Sequence, residues 1–177
     1  MATFRRGESA VDDYGVVTAP DAVRLECILP GGIERVWSYL TESDKRGSWL
    51  ASGEMELLVG GDVEHIFRKS GRFEHEDAPK HWPVPGETRM RGFVIACEAP
   101  RLLAYTWGSH WSRRSEVSFE LTPGSDNVLL VLTHRRLANR DEVTSAGRRW
   151  HTHLRLLGEQ LAGANAPPPG GIEIVTP

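Results

Sequence analysis

The stretch DEVTSAGRRWHTHLRLLGEQL, residues 141–161, decides the architecture. Val143, Trp150, Leu154, Leu157 and Leu161 fall on one stripe of an α-helix, and Gly163 stands just beyond as its stop. A long helix with a single apolar stripe has to bury it, and the preceding chain offers strands as the partner. Residues 115–122 and 127–136 read as two strands split by Pro123-Gly124-Ser125, and residues 88–97 and 101–107 as two more around Ala99-Pro100. Residues 54–58 and 63–68 read as a hairpin about Gly60-Gly61. Further back, Val23, Leu25, Cys27 and Leu29 alternate with Arg24 and Glu26, and residues 14–18 pair with them through the turn Ala19-Pro20-Asp21. Between the two hairpins the period changes. Ile33, Val36, Trp37 and Leu40 mark one short helix, and residues 44–49 a second, capped by Thr41 or Ser43 and ending at Trp49. The expected fold is α+β: a curved antiparallel sheet wrapped around the long C-terminal helix, with two short helices after the first strand. The gap between sheet and helix is where an apolar ligand would sit.

The 177 residues fit one domain, expected over residues 14–163, with a flexible segment at 1–13 and a Pro/Gly-rich tail at 164–177. Residues 70–87, rich in proline and mixed charge, read as a long loop able to act as a lid. Two cysteines exclude a disulfide scaffold, and without an apolar leader the expected setting is cytoplasmic. The longest apolar runs are too short to enter a membrane. With 21 Lys+Arg against 24 Asp+Glu, the net charge of −3 excludes charge-driven binding of nucleic acid. Six tryptophans are the unusual feature, because a large apolar body with one N–H donor suits a core or a greasy pocket.

Several short segments carry a resemblance. They are Glu34-Arg35-Val36-Trp37 with Leu40-Thr41-Glu42 and Trp49, then Val59-Gly60-Gly61, Gly92-Phe93-Val94 and Arg101 through Trp107, then Leu132-Thr133-His134, and Gly147 through His151 with Leu154. In this order and spacing the chain resembles the helix-grip, START-like (SRPBCC) superfamily. Within it, the chain is similar to bacterial proteins resembling the C-terminal domain of the heat-shock-protein ATPase activator. It departs from their pattern at Glu42-Ser43, at Leu50 and in the long insertion at 70–87. The resemblance implies a cavity between the long helix and the sheet. Relatives bind lipids, hormones or polyketides there, a few run cyclisation or hydrolysis, and the eukaryotic activator docks on a chaperone.

The expected activity is therefore binding of a small hydrophobic or amphipathic molecule, with no cofactor and no metal. A co-chaperone acting on a heat-shock ATPase and a cyclase- or hydrolase-type enzyme are the alternatives. Trp49, Tyr105, Phe119, Trp150 and Leu154 are the candidate walls, each weighed against a plain core role. His134 joins them, either as a cavity acid or base or as a hydrogen-bonded structural histidine. Trp107 and Trp111, bracketing a strand end, are candidates for the rim, and Trp82 for the lid. His151 and His153 lie about 200° apart on a helix and cannot chelate together. His75 and His81 with Glu74, Glu76 and Asp77 read as a solvated loop before a metal site. No Gly-x-Ser-x-Gly elbow is present, and Cys27 and Cys97 lie in strands as small hydrophobes, so no nucleophile is nominated. The paired arginines read as solvated faces, although one arginine facing the cavity would favour a carboxylate-bearing ligand.

Overall fold

A computed structural model describes residues 16–19, 21–68, 86–108 and 114–163, with side chains from Asp21 onward. The chain runs β1 (Val16–Ala19), β2 (Ala22–Pro30), α1 (Ile33–Thr41), α2 (Ser43–Gly47), β3 (Asp62–Arg68), β4 (Glu87–Glu98), β5 (Leu102–Trp107), β6 (Ser115–Pro123), β7 (Asn127–Arg135) and α3 (Arg140–Ala162). All neighbouring strands pair antiparallel, in the order β1-β2-β7-β6-β5-β4-β3. The curved sheet is thus a meander except where β2 crosses to pair with β7, and α3 returns across its inner face. This is the expected helix-grip arrangement.

Strand alternation builds the inner face. On β2 the buried positions are Val23, Leu25, Cys27 and Leu29, and on β7 they are Val128, Leu130, Leu132 and His134. The α3 stripe of Val143, Trp150, Leu154, Leu157 and Leu161 is buried throughout, and each large side chain so hidden is worth about 1.5–3 kcal/mol. Its start is fixed by Asn139, whose side chain accepts from the Glu142 N–H at 2.9 Å, while the Glu142 carboxylate accepts from the Ala138 N–H. Gly163 ends it at φ +78.

Strand β4 changes partner along its length: Glu87 to Phe93 pair with β3, and Val94 to Glu98 with β5. The switch centres on Gly92. A Cβ there would lie 2.5 Å from the Thr106 carbonyl oxygen and 2.6 Å from its hydroxyl, so only glycine lets β5 approach.

Two sequence expectations fail in this region. Residues 54–58 form no strand; they make a single bridge, Met55 to Val63, with Ser52 just before them bridging Ile66. The chain turns too soon for a ladder: Glu56 N–H donates to Asp62 O and Gly61 N–H to Leu58 O, which throws Leu57, Leu58 and Val59 outward. The second short helix ends at Gly47 rather than Trp49, and Glu42 holds its cap position. Ser43 lies inside it, its hydroxyl accepting from the Gly53 N–H at 2.9 Å.

Candidate functional site

The inward side chains of β3, β5, β6 and β7 meet α3 in an aromatic cluster. Trp49, which follows α2, is fully buried; its indole N–H donates to Tyr39 O at 2.8 Å, and its carbonyl accepts from His153 Nδ1–H at 2.8 Å. Its ring meets Phe119 edge-on with centroids 6.5 Å apart. Phe119 lies 5.9 Å from the Tyr105 ring and 5.8 Å from Trp150, and Leu154 is buried one turn along α3. The structure therefore brings Trp49, Tyr105, Phe119, Trp150 and Leu154 together, with His134 beside Trp150. These side chains pack on one another and expose almost nothing.

His134 is buried and hydrogen-bonded at both ring nitrogens. Nδ1 accepts from the Trp150 indole N–H at 2.9 Å, and an acceptor at Nδ1 in a neutral ring leaves the proton on Nε2. Nε2–H then donates to the Ser115 hydroxyl at 2.8 Å, and that hydroxyl donates to Trp107 O at 3.0 Å. Burial, helped by the positive charge of Arg149, pushes the His134 pKa down to about 3. Although Ser115 and His134 touch, the proton points from histidine to serine. The pair has the wrong polarity for a nucleophile and its base.

A second histidine escaped the sequence reading. His65 on β3 is fully buried between Val63 and Phe67, and the Phe67, Tyr105 and Trp107 rings stand edge-on around it at 6.2, 5.1 and 5.1 Å. Its Nε2 lies 3.2 Å from the Tyr105 hydroxyl, and among the described residues its Nδ1 has no hydrogen-bond partner. Burial lowers its pKa to about 4, with Arg46 adding to the shift and the Glu64 backbone opposing it. The readable signal was a polar residue at an inward position of a strand alternating Val63, His65, Phe67.

Arg46 of α2 is also fully buried. Its guanidinium donates to the carbonyls of Thr41, Ala51 and Gly53, and among the described residues no carboxylate comes within ion-pair distance of it. Gly53 presses this charge toward His65: a Cβ at Gly53 would lie 2.3 Å from Glu64 O and 3.4 Å from His65 N. Burial lowers the Arg46 pKa and raises that of Tyr105, yet the guanidinium stays charged and the phenol neutral.

Trp107, expected near a rim, is half-buried at the end of β5 and leans inward, 5.0 Å from Trp150 and 6.2 Å from Phe67. Trp82, Trp111, His75 and His81 lie outside the described residues. Among the described residues no three His, Cys, Asp or Glu side chains are grouped to hold a metal. Burial pushes the Cys27 thiol up to about 12, which suits a packing role.

Comparison with known proteins places this geometry. The model of the family described as activator of Hsp90 ATPase homolog 1-like protein matches residues 32–162. A solution structure of a Bordetella parapertussis protein is 38% identical, with a TM-score of 0.69 over 94% of this chain and 87% of that one. CalU16 from Micromonospora echinospora is 21% identical with a TM-score of 0.58, over 80% of this chain and 76% of that one. A Nitrosomonas europaea protein is 15% identical with a TM-score of 0.64, over 82% and 96%. These last two share the fold. No curated protein matches the sequence.

Proposed function

Because the chain belongs to the activator of Hsp90 ATPase homolog 1-like family, whose helix-grip fold commonly binds ligands, we propose that it holds a small apolar or amphipathic molecule between α3 and the sheet. One observation supports this most. The aromatic cluster is graded, running from fully buried Trp49, Phe119 and Tyr105 to half-buried Trp107 and Phe67 at the far end of β3 and β5. A sealed core has no need of a wet aromatic end, whereas a site that admits a ligand does. Trp150 and Leu154 form the helix wall in this reading, Tyr105, Phe119 and Trp49 the floor, and His134 braces Trp150. Trp82 and Trp111 keep the lid and rim roles proposed from sequence. The reading keeps the cytoplasmic setting expected from the sequence, with which two free cysteines agree. Tryptophan fluorescence titrated with naphthalene derivatives, long-chain fatty acids and sterols tests the reading. Saturable quenching or a blue shift by at least one class is expected; an unchanged spectrum with all of them overturns it.

A second reading has its own observation. Leu57, Leu58 and Val59 are exposed on the turn before β3, close to exposed Phe93, in the manner of a docking knob. In a co-chaperone this patch would engage the heat-shock ATPase. Stimulation of a purified Hsp90-type ATPase by the chain, abolished by Leu58→Asp, is the expected result of that reading, and an unchanged turnover removes it.

A further inference from the structure

The polar atoms at the aromatic end define which ligand fits, and this step rests on the ligand-binding reading above. The Tyr105 hydroxyl is fully buried, and among the described residues the acceptor it reaches is His65 Nε2 at 3.2 Å. A buried phenol O–H must donate, so Nε2 is the acceptor and the imidazole proton sits on Nδ1. That N–H is the orphan: it is buried and, among the described residues, without a hydrogen-bond partner. Leaving such a donor unpaired is costly, and among the described residues it is the one buried side-chain polar atom without a partner. Behind it, across Gly53, stands the Arg46 guanidinium, which feels the Glu54 carboxylate but has no described carboxylate in ion-pair contact.

We infer that the grip takes an apolar, preferentially aromatic molecule bearing a carboxylate or conjugated carbonyl oxygen, and that this oxygen accepts the His65 Nδ1–H within the field of Arg46. Phe67 and Trp107 are the half-buried rings against His65, so the approach runs past them. They offer faces to an aromatic ligand body. An amine is the wrong partner on both counts: it brings a donor to a donor and a cation to a cation.

The test uses the full chain, labelled with 15N, and three probes of one shape: 2-naphthoate, naphthalene and 2-naphthylmethylamine at pH 7.5. Histidine-ring 15N–1H correlation spectra should show His65, assigned by its loss in His65→Phe, as the Nδ1–H tautomer. That resonance should shift on saturation with 2-naphthoate. Naphthoate should bind at least about tenfold more tightly than naphthalene, the scale of one charge-assisted hydrogen bond, and the amine most weakly. In His65→Phe the preference for naphthoate should collapse while naphthalene binding persists. An Nε2–H tautomer in the free protein overturns the inference even if the variant does not fold. Equal binding of naphthoate and naphthalene, with His65 unmoved, also overturns it and leaves the ligand-binding reading standing. Binding of none of the three overturns the inference, and the ligand-binding reading falls with it only when fatty acids and sterols also leave the tryptophan spectrum unchanged.

Discussion

Lowering the pH from 7.5 to 5 should strip about 4 kcal/mol from the folding stability through two residues, His65 and His134. Both are neutral and buried, with folded pKa values near 4 and 3, against about 6.5 for an unfolded histidine. The sign follows from proton counting: each folded pKa is depressed, so the unfolded chain binds the protons first. The stability these residues confer is complete above pH 6.5 and is lost as the pH falls towards 4 and 3. At pH 5 the loss per residue is RT ln(1 + 10^1.5), about 2 kcal/mol, and depends only on the unfolded pKa because both folded values lie lower. Two such losses are a large part of a typical total of roughly 5–15 kcal/mol. Urea denaturation at pH 7.5, 6 and 5 measures this, with the midpoint falling while the slope with denaturant stays constant. His134→Gln is the control. Glutamine keeps an acceptor for the Trp150 indole and a donor for Ser115 but does not titrate, so the loss over the same range should halve to about 2 kcal/mol. A flat stability profile, or an unchanged loss in the variant, refutes the claim that these rings are buried uncharged.

Three other tests probe the framework. Tyr105→Phe strips His65 Nε2 of its partner and His65→Phe strips the Tyr105 hydroxyl, each costing about 1–3 kcal/mol; the double variant should cost less than their sum, and strict additivity in a thermal double-mutant cycle contradicts the bond. Gly92→Ala drives a methyl into Thr106 O at 2.5 Å, and should cost about 3 kcal/mol or more by thermal melt, whereas a melt within about 1 °C of the parent contradicts the close strand approach. Asn139→Ala removes the α3 cap and should cost about 1 kcal/mol in denaturant, with Asn139→Asp restoring most of it.

The sheet and the grip helix were legible because both are written in periodicity. The period-two runs of β2, β6 and β7 and the Val143-to-Leu161 stripe face one way only, and a shift by one residue would turn each apolar set to water. Residues 54–58 mimicked that pattern, but their fate was decided by the Glu56–Asp62 backbone bond and the close approach of Gly61 to Glu56, contacts that leave no trace in alternation. The aromatic candidates converged because they occupy inward positions of elements already recognised. Arg46 was out of reach: its burial depends on one carbonyl at the end of α1 and two from the irregular segment beyond α2, and an arginine on a short helix reads as solvent-facing.

The two inward histidines show how one strand rule yields two roles. In the register across the sheet, Val23 faces His134, His134 faces Val117, Val117 faces Tyr105 and Tyr105 faces Val94. Along this row His134 meets the indole of α3 and the hydroxyl of β6, so both its nitrogens are used and its tautomer is fixed from within the protein. His65 stands beyond the row's β5 member, past the bend in β4, where α3 no longer supplies a partner. There Tyr105 satisfies one nitrogen and nothing in the described fold satisfies the other. A ring wired at both nitrogens can only brace its neighbours. The one left with an unpaired donor among the described residues is the group that the proposed ligand completes, so in that proposal recognition falls on the β3–β5 side of the grip and bracing on the β6–β7 side.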